Sequence, residues 1–161
     1  MGLLQAVQKE TIKADLESIE KDELFEEMID LLYQAKKNTD RDDVLESILN
    51  REKSRNTAIT KGVALPHART DSVKDISVVI GISKDGVNYE SSFDPIHIIF
   101  LVVGPAGGTE KYISILSEIG KLLLSAATIS DLKNSTSPEE ILSIIEREKS
   151  RINDDWSKRN C

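Results

Sequence analysis

Cysteine and histidine are almost missing from this 161-residue chain, which has one of the first and two of the second. The cysteine, Cys161, is the last residue and can close no disulfide within the chain, a pattern that fits a reducing compartment. A zinc site needs three or four ligands at short spacings, and His67, His97 and Cys161 do not supply them. No metal is therefore expected. Long apolar runs are missing too. None approaches the roughly 20 residues of a membrane helix, so no direct membrane insertion is expected. Met1-Gly2-Leu3-Leu4 leads straight to Gln5 and the charged Lys9-Glu10, which reads as no secretory leader. Ala6 stands where a myristoylation signal needs Ser or Thr. Positive charge is in deficit: 21 Lys and Arg face 28 Asp and Glu, for a net charge of −7. Nucleic-acid binding needs a basic stripe, so none is expected. Gly104-Pro105-Ala106-Gly107-Gly108 follows neither the Walker nor the Gly-x-Gly-x-x-Gly pattern and reads as a glycine-rich strand-to-helix turn. Gly-x-Ser-x-Gly is absent as well. No internal repeat or low-complexity segment is present.

What is present suffices for one domain with a real core. Thr11 to Leu16 alternates polar and apolar residues and reads as a short strand. Asp22 to Lys36 is an amphipathic helix carrying Leu24, Phe25, Met28, Leu31 and Leu32 on one face. Asp40 or Thr39 caps a second helix with Val44, Leu45, Ile48 and Leu49 inward, ending near Arg51-Glu52-Lys53. Val63-Ala64-Leu65 is long enough for a buried strand that must stop, or lie at an edge, at Pro66. Ile76 to Ile82 is rich in β-branched residues and reads as a central strand. Lys84-Asp85-Gly86 signals a turn, and a short strand can follow at Val87 to Tyr89. Ile96 to Val103 is nearly all apolar, as expected of a strand covered on both faces. Thr109 can cap a helix whose inner face is Tyr112, Ile113, Leu116, Ile119, Leu122 and Leu123. A short helix follows near Ile129 to Lys133. Ser137-Pro138-Glu139-Glu140 then opens a last helix as a capping box with proline in the first turn, its inner face Ile141, Leu142, Ile144 and Ile145. Helices, then strands, then helices predict a single-domain α/β fold with a mixed β-sheet covered by helices on both faces. Residues 1–150 form the domain, and residues 151–161, with Trp156 as their one large apolar residue, read as a polar C-terminal tail.

Apart from some pair among the 28 acids, what is left is His67 as a nucleophile or acid–base group, set against the plainer reading of a solvated loop histidine. It follows Pro66, so its side chain leaves a strand end from a rigid backbone. An imidazole is nucleophilic near neutral pH, and the phosphoramidate it forms is labile enough to pass the group on. Phosphoryl transfer needs little beyond alignment and positive charge. Arg51, Lys61, Arg69 and the hydroxyls of Thr57 and Thr60 are the nearby candidates in sequence. His97, inside Ile96-His97-Ile98, reads instead as a strand histidine with a satisfied hydrogen bond.

Arg51-Glu52, then Asn56-Thr57, then Gly62-Val63-Ala64-Leu65-Pro66-His67 resembles the motif of enzyme IIA of the fructose/mannitol class of the bacterial phosphotransferase system, a class that includes the nitrogen-regulatory enzymes IIA. The resemblance covers about residues 3 to 148 and extends to Pro95 through Leu101 and the helix after Pro105. It implies a cytoplasmic phosphoryl carrier that takes a phosphoryl group on His67 from the phosphocarrier protein HPr or a nitrogen-branch relative. Arg51 would steady the phosphoryl oxygens, with Thr57, Gly62 and Pro66 as further binding positions and no cofactor. The onward partner would be an enzyme IIB, for sugar uptake, or a regulatory target protein; the expectation leans to regulation, with a silent binding module as the third possibility. Two departures stand out. Ala58-Ile59-Thr60 replaces a more usual glycine-containing run. Lys111 stands where many members carry a second active-site histidine, and its ammonium could reach the same phosphoryl group as a point charge.

Overall fold

The computed structural model describes residues 2–60 and 62–160, so Met1, Lys61 and Cys161 lie outside the described residues. One turn of helix, α1 (Leu3–Ala6), leads into strand β1 (Val7–Lys13). Helices α2 (Lys21–Ala35) and α3 (Arg41–Ser54) follow. Then come β2 (Ala58–Thr60), β3 (Val63–Ala64), β4 (His67–Arg69), β5 (Ser77–Val87) and β6 (Ile96–Gly104). Helices α4 (Thr109–Leu122), α5 (Ala126–Lys133) and α6 (Pro138–Arg159) close the chain.

The sheet is six-stranded and mixed, in the order β1-β5-β6-β3-β2, with β4 also paired to β6. Strand β6 is antiparallel to β5 and parallel to β3 and β4. Its residues alternate between two cores. Ile98, Phe100 and Val102 meet Tyr112, Ile115, Ile119, Ile141 and Ile145 from α4 and α6. Ile99, Leu101 and Val103 meet Leu24, Phe25, Met28, Ile29, Val44 and Ile48 from α2 and α3. Both faces are thus covered by helices, as the near-continuous apolar run of β6 requires. Among the described residues no single helix is long and apolar enough to cross a membrane.

Several elements differ from the sequence expectation for physical reasons. Strand β1 starts at Val7, hidden by the polar Gln8-Lys9-Glu10; the Thr11 hydroxyl donates to the Val78 carbonyl at 2.9 Å and helps hold it to β5. The Lys84-Asp85-Gly86 turn does not end a strand. It is a bulge inside β5, whose pairing with β6 resumes at Val87↔Ile96. Gly86 there takes φ +93° and donates its N–H to the Ser83 hydroxyl at 2.9 Å. Helix α4 is capped by Gly108, not Thr109. It carries two apolar stripes and buries Tyr112, Ile115, Ile119 and Leu122, leaving Ile113 57% exposed. The α6 cap forms as expected, the Ser137 hydroxyl accepting from the Glu140 N–H at 3.1 Å, but the Glu140 carboxylate turns to the Thr136 N–H at 3.0 Å. The polar stretch after residue 150 continues α6 to Arg159 as a solvated helix, with Trp156 65% exposed.

Candidate functional site

Pro66 interrupts one parallel run alongside β6 without shifting it. Ala64 pairs with Ile99 before the proline and His67 with Val102 after it, in the same register. Pro66 has no N–H to give, yet its carbonyl accepts from Val102 at 3.0 Å. His67 is therefore the first residue of β4 rather than the end of β3, and the ladder on both sides fixes its Cα. Gly62, at φ +79°, makes the preceding turn from β2 into β3, and its carbonyl takes the His97 and Ile98 N–H groups at 2.8 and 3.0 Å.

The imidazole of His67 is half-buried. Its Nδ1 lies 2.7 Å from the Leu65 carbonyl oxygen, which can only accept. Nδ1 must therefore carry the proton, and Nε2 is left with its lone pair. Burial holds this imidazole below its ordinary 6.5; the Leu65 carbonyl opposes that, the Arg51 guanidinium adds to it, and Glu52 opposes. The ring is then neutral at physiological pH and keeps a lone pair on Nε2 that can act as a nucleophile.

A hydrogen-bonded chain stands behind Leu65. Its N–H donates to the Thr57 carbonyl at 2.9 Å. Thr57 gives both its N–H (2.9 Å) and its hydroxyl (2.8 Å) to the Glu52 carboxylate. With that proton spent, the Tyr89 hydroxyl, 2.7 Å from Thr57 Oγ1, is the donor there. Lys21 closes the network with its ammonium 2.9 Å from Glu52 and 4.4 Å from the centre of the Tyr89 ring. Burial, then the Glu52 charge, push the Tyr89 phenol far above its usual range. Glu52, Thr57 and Tyr89 are all buried, so this is a satisfied polar core under the site.

An open cleft of about 420 Å³ lies above, lined by Arg51, Arg55, Asn56, Thr57, Ala58, Ile59, Leu65, His67 and Phe93. Arg51 donates to the Arg55 carbonyl at 3.1 Å, near the end of α3. Two guanidiniums thus share a cleft with His67, no carboxylate stands among the described lining residues, and Glu52 beneath is held by Lys21 and Thr57. Such a cleft suits a dianionic group on Nε2.

Of the residues singled out from sequence, His67, Arg51 and Thr57 meet at this cleft, the Thr57 hydroxyl being directed inward to Glu52 and Tyr89. Gly62 and Pro66 shape the backbone on either side of β3. Thr60 lies in β2 outside the cleft lining. Lys61 lies outside the described residues. Arg69 donates to the Ala106 carbonyl and lies 5.6 Å from the Tyr112 ring centre. Lys111 is exposed on the first turn of α4, and its neighbour Tyr112 makes the contact to His67, with ring centres 6.4 Å apart. His97 is the satisfied strand histidine expected, its Nδ1 2.8 Å from the Ser83 carbonyl. Sequence reasoning placed Glu52 in the Arg51-Glu52 motif and Tyr112 in the core but gave neither a part in the site, and it gave none to Tyr89. Tyr89 is separated from Thr57 by 32 residues, and only the sheet brings them together.

Residues 5–148 match the family described as "Phosphoenolpyruvate-dependent sugar phosphotransferase system, EIIA 2". The chain is 37% identical over 146 residues to the fructose-specific EIIABC component of Bacillus subtilis, covering 90% of this chain and 23% of that protein. It is 29% identical over 126 residues to the fructose-specific EIIA component of Haloferax volcanii, covering 78% of this chain and 82% of that protein. Among solved structures it resembles the nitrogen regulatory protein IIA-Ntr of Neisseria meningitidis, with a TM-score of 0.81 and 26% identity over 88% of this chain and 97% of that one.

Proposed function

The chain belongs to the EIIA 2 family of the phosphoenolpyruvate-dependent sugar phosphotransferase system, and from that premise we propose that it is a phosphohistidine carrier with His67 as the phosphorylated residue. The observation that carries this reading is the 2.7 Å contact of His67 Nδ1 with the Leu65 carbonyl, which leaves Nε2 as the nucleophile beside Arg51 and Arg55. The donor is phosphohistidine on HPr or a nitrogen-branch relative. Nε2 attacks the phosphorus, its lone pair forms the new N–P bond, and the donor's N–P bond breaks with its electron pair returning to the donor imidazole. Nδ1 keeps its proton against Leu65, so the ring is positively charged next to the phosphoryl group. That charge makes His67 a ready leaving group for onward transfer. Arg51 steadies the phosphoryl oxygens, Thr57 fixes the backbone that holds Leu65, and Gly62 and Pro66 set the strand ends. Lys111, exposed on the first turn of α4 and outside the cleft lining, would act as a point charge on the same phosphoryl group, and a Lys111→Ala variant that takes and passes phosphate at the wild-type rate would remove it from the site.

For the next step, identity to the fructose-specific relatives favours relay to an enzyme IIB. The mannitol enzyme IIA of Escherichia coli, which shares this fold, has been solved in complex with phosphorylated enzyme IIB. The likeness to the Neisseria meningitidis IIA-Ntr structure supports a second reading, in which phosphorylation switches binding to a regulatory target. The Bacillus subtilis relative is a much longer protein, of which this chain spans 23%. The test is phosphotransfer from purified phosphorylated HPr. The wild type takes label and His67→Ala does not. A wild type without label, or a labelled His67→Ala, overturns the reading. Adding a fructose-type IIB then separates relay, in which label moves on, from switch, in which it stays.

A further inference from the structure

Tyr112 is 5% exposed, and its hydroxyl meets no hydrogen-bonding group among the described residues. A buried hydroxyl without a partner is costly, so its retention beside a reactive histidine needs a reason. Packing explains the ring: an added Cβ on Gly104 would come within 2.9 Å of it, so the strand leaves room there for the aromatic. Packing does not explain the oxygen, since phenylalanine would fill the same space.

The ring that carries this oxygen packs between His67 and Arg69. The Tyr112 ring centre is 6.4 Å from that of His67, with the two planes tilted by 52°. Arg69 sits 5.6 Å from the ring centre. Burial pushes the phenol up to about 12, while Arg69 and Arg51 pull the other way, so it stays protonated at neutral pH and can act only as a neutral donor towards an anion.

We propose that the Tyr112 hydroxyl donates a hydrogen bond to the phosphoryl group once it is carried on Nε2 of His67, and so stabilises the phosphorylated state. This rests on the carrier reading. During transfer the N–P bond forms at Nε2 as the donor's breaks. Tyr112 keeps its proton throughout and contributes only the hydrogen bond. At rest the hydroxyl has no partner among the described residues; phosphorylation supplies one. The tyrosine thereby biases the equilibrium with the donor towards the phosphorylated chain without adding charge to the cleft.

Tyr112→Phe is the test, because it keeps the ring and removes one oxygen. Two quantities are read: the equilibrium ratio of phosphoryl group between HPr and this chain, and the melting temperature of the unphosphorylated protein. Loss of a hydrogen bond to a charged group predicts that the ratio moves towards HPr by about tenfold. Loss of an unpartnered oxygen predicts a melting temperature equal to or above that of the wild type. An unchanged ratio overturns the proposal. A lowered melting temperature overturns it as well, since the hydroxyl would then have a partner at rest. If wild-type protein takes no label at all, the carrier reading fails first, a result distinct from labelled protein whose ratio ignores the substitution.

Discussion

The Nδ1 atom of His67 lies 2.7 Å from the carbonyl oxygen of Leu65, across the single residue Pro66. Proline fixes φ between them, so one hydrogen bond sets both the ring orientation and the tautomer. The buried imidazole resists protonation, and its folded-state value lies below 6.5. An NMR titration of the His67 ring should therefore show a midpoint below 6.5, and the rate of phosphoryl acceptance should fall with acid along the same curve. The unfolded chain binds this proton more readily than the folded one, so the site lowers stability as pH falls through 6.5. A midpoint at or above 6.5 would contradict the account.

Arg51 is the second handle on the cleft. Its one described hydrogen bond is to the Arg55 carbonyl, and its side chain is not part of either core. Replacing it by Ala should leave stability within about 1 kcal/mol of wild type. Phosphoryl acceptance should slow by about 100-fold, the scale seen when one preorganised donor to a developing anion is lost. Arg51→Lys should recover little of this, because an ammonium lacks the planar fork. Normal transfer by Arg51→Ala would show that Arg55 alone serves the site.

Much of this architecture is legible in the sequence because it follows from local rules. The nearly all-apolar Ile96 to Val103 strand, the Asp40 and Ser137 caps, and the Pro66-His67 junction each rest on a few consecutive residues. What is not legible depends on distant partners. Lys84-Asp85-Gly86 has the composition of a strand-ending turn, and only pairing with β6 keeps it within β5. Helix α4 has apolar residues on two stripes, and the sheet decides which one is buried. Tyr112 therefore reads as plain core. Its place beside His67 comes from packing α4 on the face where Val63 and Leu65 also point. Glu52 reads as the polar end of a helix, because Lys21 and Thr57 reach it from other elements.

Glu52 holds the backbone that holds Leu65, which makes it a positioning residue. Glu52→Ala would strip Thr57 of two acceptor contacts and leave Lys21 without its counter-ion. The expected cost is roughly 3 kcal/mol, the scale for breaking a buried ion pair by removing one partner. Glu52→Gln keeps acceptor capacity but not the charge, so it should fall between the two. The consequence specific to the site is spectroscopic. As the Thr57 to Leu65 link loosens, the 15N signals of His67 should shift from a single Nδ1–H tautomer towards a mixture. Wild-type stability and an unmixed tautomer in Glu52→Ala would remove the relay from Glu52 to His67.

Glu27 gives the fold its own acid sensitivity, away from the phosphoryl site. Its carboxylate accepts from the Ser18 hydroxyl at 2.6 Å and from the Ser18 and Glu17 N–H groups at 3.0 Å each, with the Lys13 ammonium 2.8 Å away. It thereby ties the connection after β1 to helix α2. Burial alone would raise its carboxyl, but Lys13, Ser18 and the two backbone N–H groups outweigh that and hold it at about 2, below the ordinary 4.5. The sign follows directly. Below pH 4.5 the unfolded chain takes up this proton while the folded one does not, so the stabilisation is complete above 4.5 and is lost as pH falls towards about 2. Glu27→Gln cannot ionise and should be less stable than wild type at pH 7. The gap between the two, read from denaturant midpoints at a series of pH values, should stay constant down to about pH 5 and then narrow steadily. A gap that is the same at pH 7 and at pH 2 would mean that the stabilisation comes from the shape of the contact and not from its charge.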